Sequence, residues 1–279
     1  MPIKRLRKIH DGRIIVEDNN LSYHLEYIKE NDEKKLQITD YYFKMDNLDF
    51  LRDCPRVEEV YISSSFITDI EGLYDIKSLK KLSIHVPGIS LDLTRFPDLI
   101  DLDIEWNSKM KGLSSRTRLK ELMLYNYKPK NKNLIELEEM LDLTSLIITL
   151  SNITSFKGCT SLGNLKRLEL NYCRTALNLD ELSSLPLEEI SIENCKKLLN
   201  MNSLSKIKTL KKIMLEGCGK IPSIQFISEM PSLSYFAFAK TEVEDGNLTP
   251  LERLDYAAFD DKKHYSHSYS DFTNRNLYN

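Results

Sequence analysis

No stretch of this chain stays apolar for long. The closest approach, LTSLIITL from Leu143 to Leu150, falls far short of the ~18 residues that a membrane-crossing helix needs. Behind the basic start MPIKRLRKIH there is none of the apolar segment of roughly 7–15 residues that a secretory leader carries, nor is there a C-terminal anchoring motif. These absences argue against a membrane role and give the cytoplasm as the expected address. Cysteine is sparse and odd in number: Cys54, Cys159, Cys173, Cys195 and Cys218 do not read as a disulfide framework. Net charge is small, −3 from 39 basic and 42 acidic residues, which argues against nucleic acid or an anionic membrane as partner. There is no P-loop, dinucleotide fingerprint, G-x-S-x-G or H-E-x-x-H motif. The chain is therefore read as a non-enzyme without cofactor or metal. Glycine and proline, at 9 each, leave room only for short connections.

What the chain does have is enough apolar residue, 41% by count, to build a core, and a repeat that organises it. VEEVYIS from Val57, LKKLSIH from Leu79, LIDLDIE from Leu99, LKELMLY from Leu119, LTSLIIT from Leu143, LKRLELN from Leu165, LEEISIE from Leu187 and LKKIMLE from Leu210 share one pattern. EKKLQIT from Glu33 is a degenerate first copy, and LSYFAFA from Leu233 and LERLDYA from Leu251 close the set. The central residues are Leu36, Val60, Leu82, Leu102, Leu122, Leu146, Leu168, Ile190, Ile213, Phe236 and Leu254, separated by 24, 22, 20, 20, 24, 22, 22, 23, 23 and 18 positions.

The chain resembles the leucine-rich-repeat superfamily on these residues, over roughly Lys35 to Phe259. FITDIEGLYDIKSLKKLSI, Phe66 to Ile84, is similar to internalin-type repeats, in which Ile-x-x-Ile-x-x-Leu follows the strand. VEDGNLTPLERLDYAAFDDKKHYSHS, Val243 to Ser268, resembles the closing segment of uncharacterised bacterial intracellular leucine-rich-repeat proteins. The resemblance implies an α/β solenoid: a curved right-handed superhelix with a parallel concave sheet and short helical or extended convex segments. Each copy alone cannot bury its leucines, whereas stacked copies share one apolar column. Residues 1–32 are expected to cap the front, with RIIV, a turn at EDNN and the amphipathic LSYHLEYIKE forming a hairpin and helix. About eleven repeats are expected over 33–259, and 260–279 form the closing tail. The longer copy YNYKPKNKNLIELEEMLDL predicts an exposed basic loop at Lys128–Asn133, then a short convex helix in NLIELEEML.

Side chains on a strand alternate faces. With the leucines inward, the concave face carries Asp101, Asp103, Glu105; Glu121, Met123, Tyr125; Ser145, Ile147, Thr149; Arg167, Glu169, Asn171; Glu189, Ser191, Glu193; and Lys212, Met214, Glu216. Eight of these are acidic and two basic, a bias the whole chain lacks. Trp106, the single tryptophan, and Tyr172 follow strands and are expected on one rim. Aromatic and apolar groups ringed by polar ones mark protein-binding hot spots, although a merely solvated face is also polar.

Cys173, Cys195 and Cys218 fall at equivalent places in successive repeats, NYC, ENC and EGC. A straight stack does not converge on a metal, so a structural role is expected; Cys54 and Cys159 read as small buried groups in turns. His264 and His267 form H-x-x-H beside Asp260 and Asp261 without a base or nucleophile, and their segment is expected to cover the last strand edge. His85 is expected on the concave face as a solvated histidine.

These readings converge on a protein–protein interaction scaffold, expected to be bacterial and to remain monomeric without its partner, which presents Lys or Arg. The contact set is Asp101, Asp103, Glu105, Trp106, Glu121, Met123, Tyr125, Ile147, Glu169, Tyr172, Glu193, Met214 and Glu216. Two alternatives stay open: an immunity or inhibitor protein that masks a toxin, and a carbohydrate or small-molecule receptor using Trp106, Tyr125 and Tyr172 as stacking platforms.

Overall fold

The computed structural model describes residues 6–272 of the chain. Residues 1–5 of the expected front cap and 273–279 of the expected tail lie outside them. The chain divides into two units, Met1–Leu122 and Met123–Asn279.

In the first unit, strands β1 (Arg7–Lys8) and β2 (Ile14–Ile15) form an antiparallel hairpin, and α1 follows at Leu21–Glu30. The hairpin turn lies at Asp11–Gly12, where Gly12 takes a φ of 90° and its N–H bonds the carbonyl of Ile9 at 3.0 Å. EDNN, the turn expected from the sequence, instead leads into α1 through a 3-10 turn at Asp18–Asn20. The reason is local: glycine adopts a positive φ without strain, and the segment that offers one closes the hairpin. Helix α1 buries His24 and Ile28, and the Nδ1 of His24 accepts from the backbone N–H of Glu17 at 3.2 Å.

From β2 onward the strands are parallel and in chain order: β3 (Lys35–Thr39), β4 (Glu59–Ser63), β5 (Lys81–His85) and β6 (Asp101–Glu105). Leu36, Val60, Leu82 and Leu102 lie side by side and all are buried. The return segments use the Ile-x-x-Ile-x-x-Leu spacing, with Ile67, Ile70, Leu73, Ile76 and Leu79 each buried. Strand β7, Glu121–Tyr125, contains the boundary between the units.

The second unit repeats the plan. Strands β8 (Ser145–Thr149), β9 (Arg167–Asn171), β11 (Glu189–Glu193), β13 (Lys212–Ile221), β14 (Tyr235–Val243) and β15 (Tyr256–Phe259) pair in that order, all parallel. On the return side β10 (Leu177–Asn178) and β12 (Leu198–Leu199) add a two-strand parallel ladder. Both units therefore have the leucine-rich-repeat architecture: a parallel sheet on one side, short turns on the other, and the leucine column between them.

Three further expectations need correction. Phe236 pairs with Ala257, not with Leu254; Leu254 belongs to the buried turn before β15. The last spacing is then 21 residues from Phe236 to Ala257, which removes the anomalous 18. NLIELEEML is helical only over Ile135–Leu137, as a single 3-10 turn. Its buried residues Leu134, Leu137, Met140 and Leu143 recur every third position, the period of a 3-10 turn. The other return segments are likewise 3-10 turns, at Asp49–Asp53, Glu71–Asp75, Asp180–Ser184 and Gln225–Glu229 among others. A side-chain oxygen two residues ahead caps many of them: Asn47, Asp69, Asn133, Asn178 and Asn247 accept from Asp49, Glu71, Ile135, Asp180 and Thr249 at 2.8–3.2 Å. The third correction concerns the charges on the sheet face and is taken up below.

Candidate functional site

The outward side chains of each unit form rows across its strands. In the first unit one row reads Lys35, Glu59, Lys81, Asp101 and the next Gln37, Tyr61, Ser83, Asp103. Cations and anions alternate, and they meet: Lys35–Glu59 at 3.2 Å, Lys81–Asp101 at 3.2 Å and His85–Asp103 at 3.0 Å. Ser83 donates to Asp103 at 2.8 Å, and the Arg13 guanidinium lies 4.1 Å from the Tyr61 ring centre. Burial pushes the Asp101 carboxyl up, outweighing Lys81. The hydrogen bond to Asp103, helped by the charges of Asp103 and Glu105, raises the pKa of His85 against burial. The acidic bias expected for Asp101 and Asp103 is thus largely cancelled by Lys81 and His85, and His85 is a half-buried partner of Asp103, not a solvated histidine. Alternation along one strand predicts which residues face outward but not what stands on the next strand. Glu105 and Trp106 are half-buried and Glu121 is exposed.

The second unit is different. Its middle row reads Ile147, Glu169, Ser191, Met214, Ala237, Ala258, mostly apolar. Met123 and Tyr125 are each 37% exposed, and Ile147 and Met214 are half-buried. One flanking row runs Arg167, Glu189, Lys212 into a stacked pair, Tyr235 and Tyr256, whose ring centres are 4.2 Å apart. Lys212 Nζ sits 4.7 Å from the Tyr235 ring centre. The other flanking row sets Glu193 beside Glu216, a like-charge pairing that costs stability unless relieved. Relief comes from Asn194, which donates to Glu193 at 2.9 Å, and from Lys240, 2.6 Å from Glu216. Tyr172 is exposed in the left-handed region, φ 57°, and the neighbouring Glu193 carboxylate raises its hydroxyl pKa.

Toward β15 this face opens into a hollow of about 330 Å³ lined by Met214, Ala237, Ala239, Ala258 and Tyr269, with Ser191, Glu193, Glu216 and Asp260 around it. Six of these, Ser191, Ala237, Ala239, Ala258, Asp260 and Tyr269, are absent from the sequence-derived contact set. Registering the last strand on Leu254 hides Ala258 and Asp260, which aligning YFAFA with YAAFD places; Ala237 and Ala239 lie on β14, one strand beyond the outward positions read from the sequence. Tyr269 reaches the hollow from the closing segment, and no periodicity signals it.

The cysteines are structural. Cys173 N–H donates to Cys195 Sγ at 3.3 Å, Cys195 Sγ donates to the Glu193 carbonyl at 3.3 Å, and Cys218 Sγ donates to the Ile192 carbonyl at 3.3 Å. Thr241 ends the ladder by accepting from Cys218 N–H at 3.1 Å. Burial pushes the Cys218 thiol up to about 11 and Cys54 and Cys159 up to about 12; the Cys173 contact and burial push Cys195 up as well. Neutral thiols of this kind are inert. His264 contacts the Val243 carbonyl at 2.9 Å and His267 contacts Glu252 at 2.9 Å, so both pack the closing segment onto the last repeats. Among the described residues no group of three His, Cys, Asp or Glu side chains is placed to hold a metal, and no helix is long and apolar enough to cross a membrane. Lys128, Lys130 and Lys132 are exposed on their loop, while Pro129 is buried.

No protein-family profile matches the chain. Over 170 residues, 52% of this chain, it is 28% identical to a disease resistance protein of Arabidopsis thaliana, of which the match spans only 14%. Among solved structures, an internalin of Listeria monocytogenes superimposes with a TM-score of 0.60 at 16% identity, covering 87% of this chain and 69% of the other. The functional domain of InlJ from the same species, described as including a cysteine ladder, does so with 0.54 at 15% identity, covering 84% and 49%. These likenesses establish the leucine-rich-repeat fold.

Proposed function

We propose that the chain is a non-catalytic scaffold that binds another protein on the open sheet face of its second unit. The observation that carries this reading is an uncovered parallel sheet face bearing apolar side chains. Parallel sheets are ordinarily covered on both faces. Here the inner face rests on the leucine column, while Met123, Tyr125, Ile147 and Met214 stand on the outer one. Desolvating such groups favours association, and carboxylates around them select a partner that presents Lys or Arg. Glu193 and Glu216 belong to this surface, Tyr172 to its rim, and Glu169 to its middle row, where Arg167 already pairs with it and lessens its share. On the first unit's own face Asp101 and Asp103 are already held by Lys81 and His85, and Glu105, Trp106 and Glu121 stand beside them as that unit's candidates for contact.

A photo-crosslinking residue placed at Ile147 or Glu169 tests this against the same residue at Glu138 or Lys206 on the return side. One partner should be captured from the open-face positions alone, and capture should weaken as salt rises, because exposed charges are screened. Equal capture from both sides, or capture insensitive to Tyr125→Ala, would place the binding surface elsewhere.

A further inference from the structure

The hollow over β13–β15 has a chemistry of its own. On β11 and β13 the outward positions carry Ser191, Glu193, Met214 and Glu216; on β14 and β15 the equivalent positions include Ala237, Ala239 and Ala258. Three small side chains in adjacent places lower the surface to the level of the sheet backbone. Met214, from β13, and Tyr269, from the closing segment, also line it. The Tyr269 wall is anchored. Its backbone N–H donates to Asp261 at 2.6 Å, and its ring stands edge-on to Phe259, 6.2 Å between centres. Phe259 in turn stacks on Phe238 at 5.3 Å. A cleft with fixed walls loses little ordering entropy when it is filled.

Three carboxylates stand around this apolar floor: Glu193, Glu216 and Asp260. Among the described residues Lys240 reaches them, with Nζ 2.6 Å from Glu216 and backbone N–H 2.6 Å from Asp260. Its side chain is 75% exposed, so it lies over the carboxylates without filling the hollow. An apolar slot with surplus negative charge at its mouth suits a long side chain with an aliphatic stem and a cationic head. Arginine suits it better than lysine: its planar head stacks on an aromatic ring, and its fork of donors can serve two carboxylates at once.

We propose that this hollow is a subsite for one arginine side chain of the partner protein, stem on Ala237 and Ala258, head between Glu216 and Asp260 beside Tyr269. The proposal rests on the docking face described above and names the residue type that face selects.

The test uses the full chain carrying ¹³C-methyl alanine and methionine, titrated with the capped tripeptide Gly-Arg-Gly and its citrulline and leucine counterparts. The arginine peptide should shift the methyls of Met214, Ala237 and Ala258 saturably. The neutral citrulline peptide, of nearly the same shape, should bind about tenfold more weakly, since charge-assisted bonds are lost. Ala258→Leu should abolish the shifts while leaving the thermal midpoint near that of the wild type. Lys240→Asn, which keeps a residue tolerant of positive φ, should tighten arginine binding about two- to threefold by removing the internal competitor for Glu216. Equal binding of the citrulline or leucine peptide, absence of saturable shifts at these methyls, or arginine binding that survives Ala258→Leu overturns the subsite. If crosslinking from Ile147 succeeds while the arginine peptide fails, the docking face stands and only the subsite falls. If crosslinking fails as well, the docking reading goes first.

Discussion

The two units are built on the same kind of core and differ in what they show to solvent. Leu82 and Leu168 occupy the same place in the leucine column, and both are buried at 1% exposure. Above Leu82 the face is a lattice of paired charges, Lys35–Glu59, Lys81–Asp101 and His85–Asp103. Above Leu168 and its successors it is Ile147, Met214 and the alanines, with carboxylates alongside. A lattice whose charges already have partners offers little to another protein, because any new ion pair must first replace an existing one. A half-covered apolar row beside carboxylates gains on being covered. The repeat therefore settles where a side chain points, and the choice of residue at each outward place separates a self-satisfied face from a receptive one.

The comparison can be broken at its common element. Leu82→Ala and Leu168→Ala should each cost about 2–5 kcal/mol in urea unfolding, and similar losses are expected because both sites are equally buried. A loss below about 1 kcal/mol at either would mean that the two columns are not equivalent. On the outer face the units should part. Tyr125→Ala should weaken partner binding by about 2 kcal/mol or more with little change in the unfolding midpoint, as read by titration calorimetry with the crosslinked partner. Trp106→Ala, in the first unit, tests how far contact extends there; a larger effect at Trp106 than at Tyr125 would reverse the ranking of the two faces.

The cysteine ladder sharpens the comparison next. Cys195→Val strands the Cys173 N–H, which now donates to sulfur, and should cost about 1–3 kcal/mol; Cys195→Ser, which keeps an acceptor, should cost less. Equal costs would mean that the ladder serves by volume alone. Smallest is the pH effect in the first unit. The Asp103 contact raises His85 above its usual 6.5, so its stabilisation is fully present below pH 6.5 and disappears as pH rises through the raised value. His85→Gln should therefore cost up to about 1 kcal/mol at pH 5.5, as for other partly exposed pairs, and nearly nothing at pH 9. A cost independent of pH would show that packing, not charge, is what His85 supplies.

Much of this was legible along the chain. The recurring Leu-x-x-Leu-x-Leu pattern located ten of the eleven strand centres, and the place of Cys173, Cys195 and Cys218 in successive repeats foretold a non-convergent stack. The closing copy was misplaced because Leu254 and Ala257 compete for the same role, and the leucine looked the stronger candidate; only the pairing of Tyr256 with Tyr235 decides it. NLIELEEML read as a helix because its apolar residues are close together, yet their spacing of three suits a 3-10 turn. The acidic bias was overstated in the first unit because Lys81 and His85 lie on the strand before Asp101 and Asp103.

By itself the sequence determined the repeat, the inward leucines and the outward alternation, because each depends on residues a few positions apart along one strand. Which outward residues stand side by side, whether a carboxylate meets a lysine or another carboxylate, and where three alanines coincide to open a hollow were decided by tertiary structure. Those neighbours are some twenty positions apart in the chain, and the length and turn of each return segment set their register.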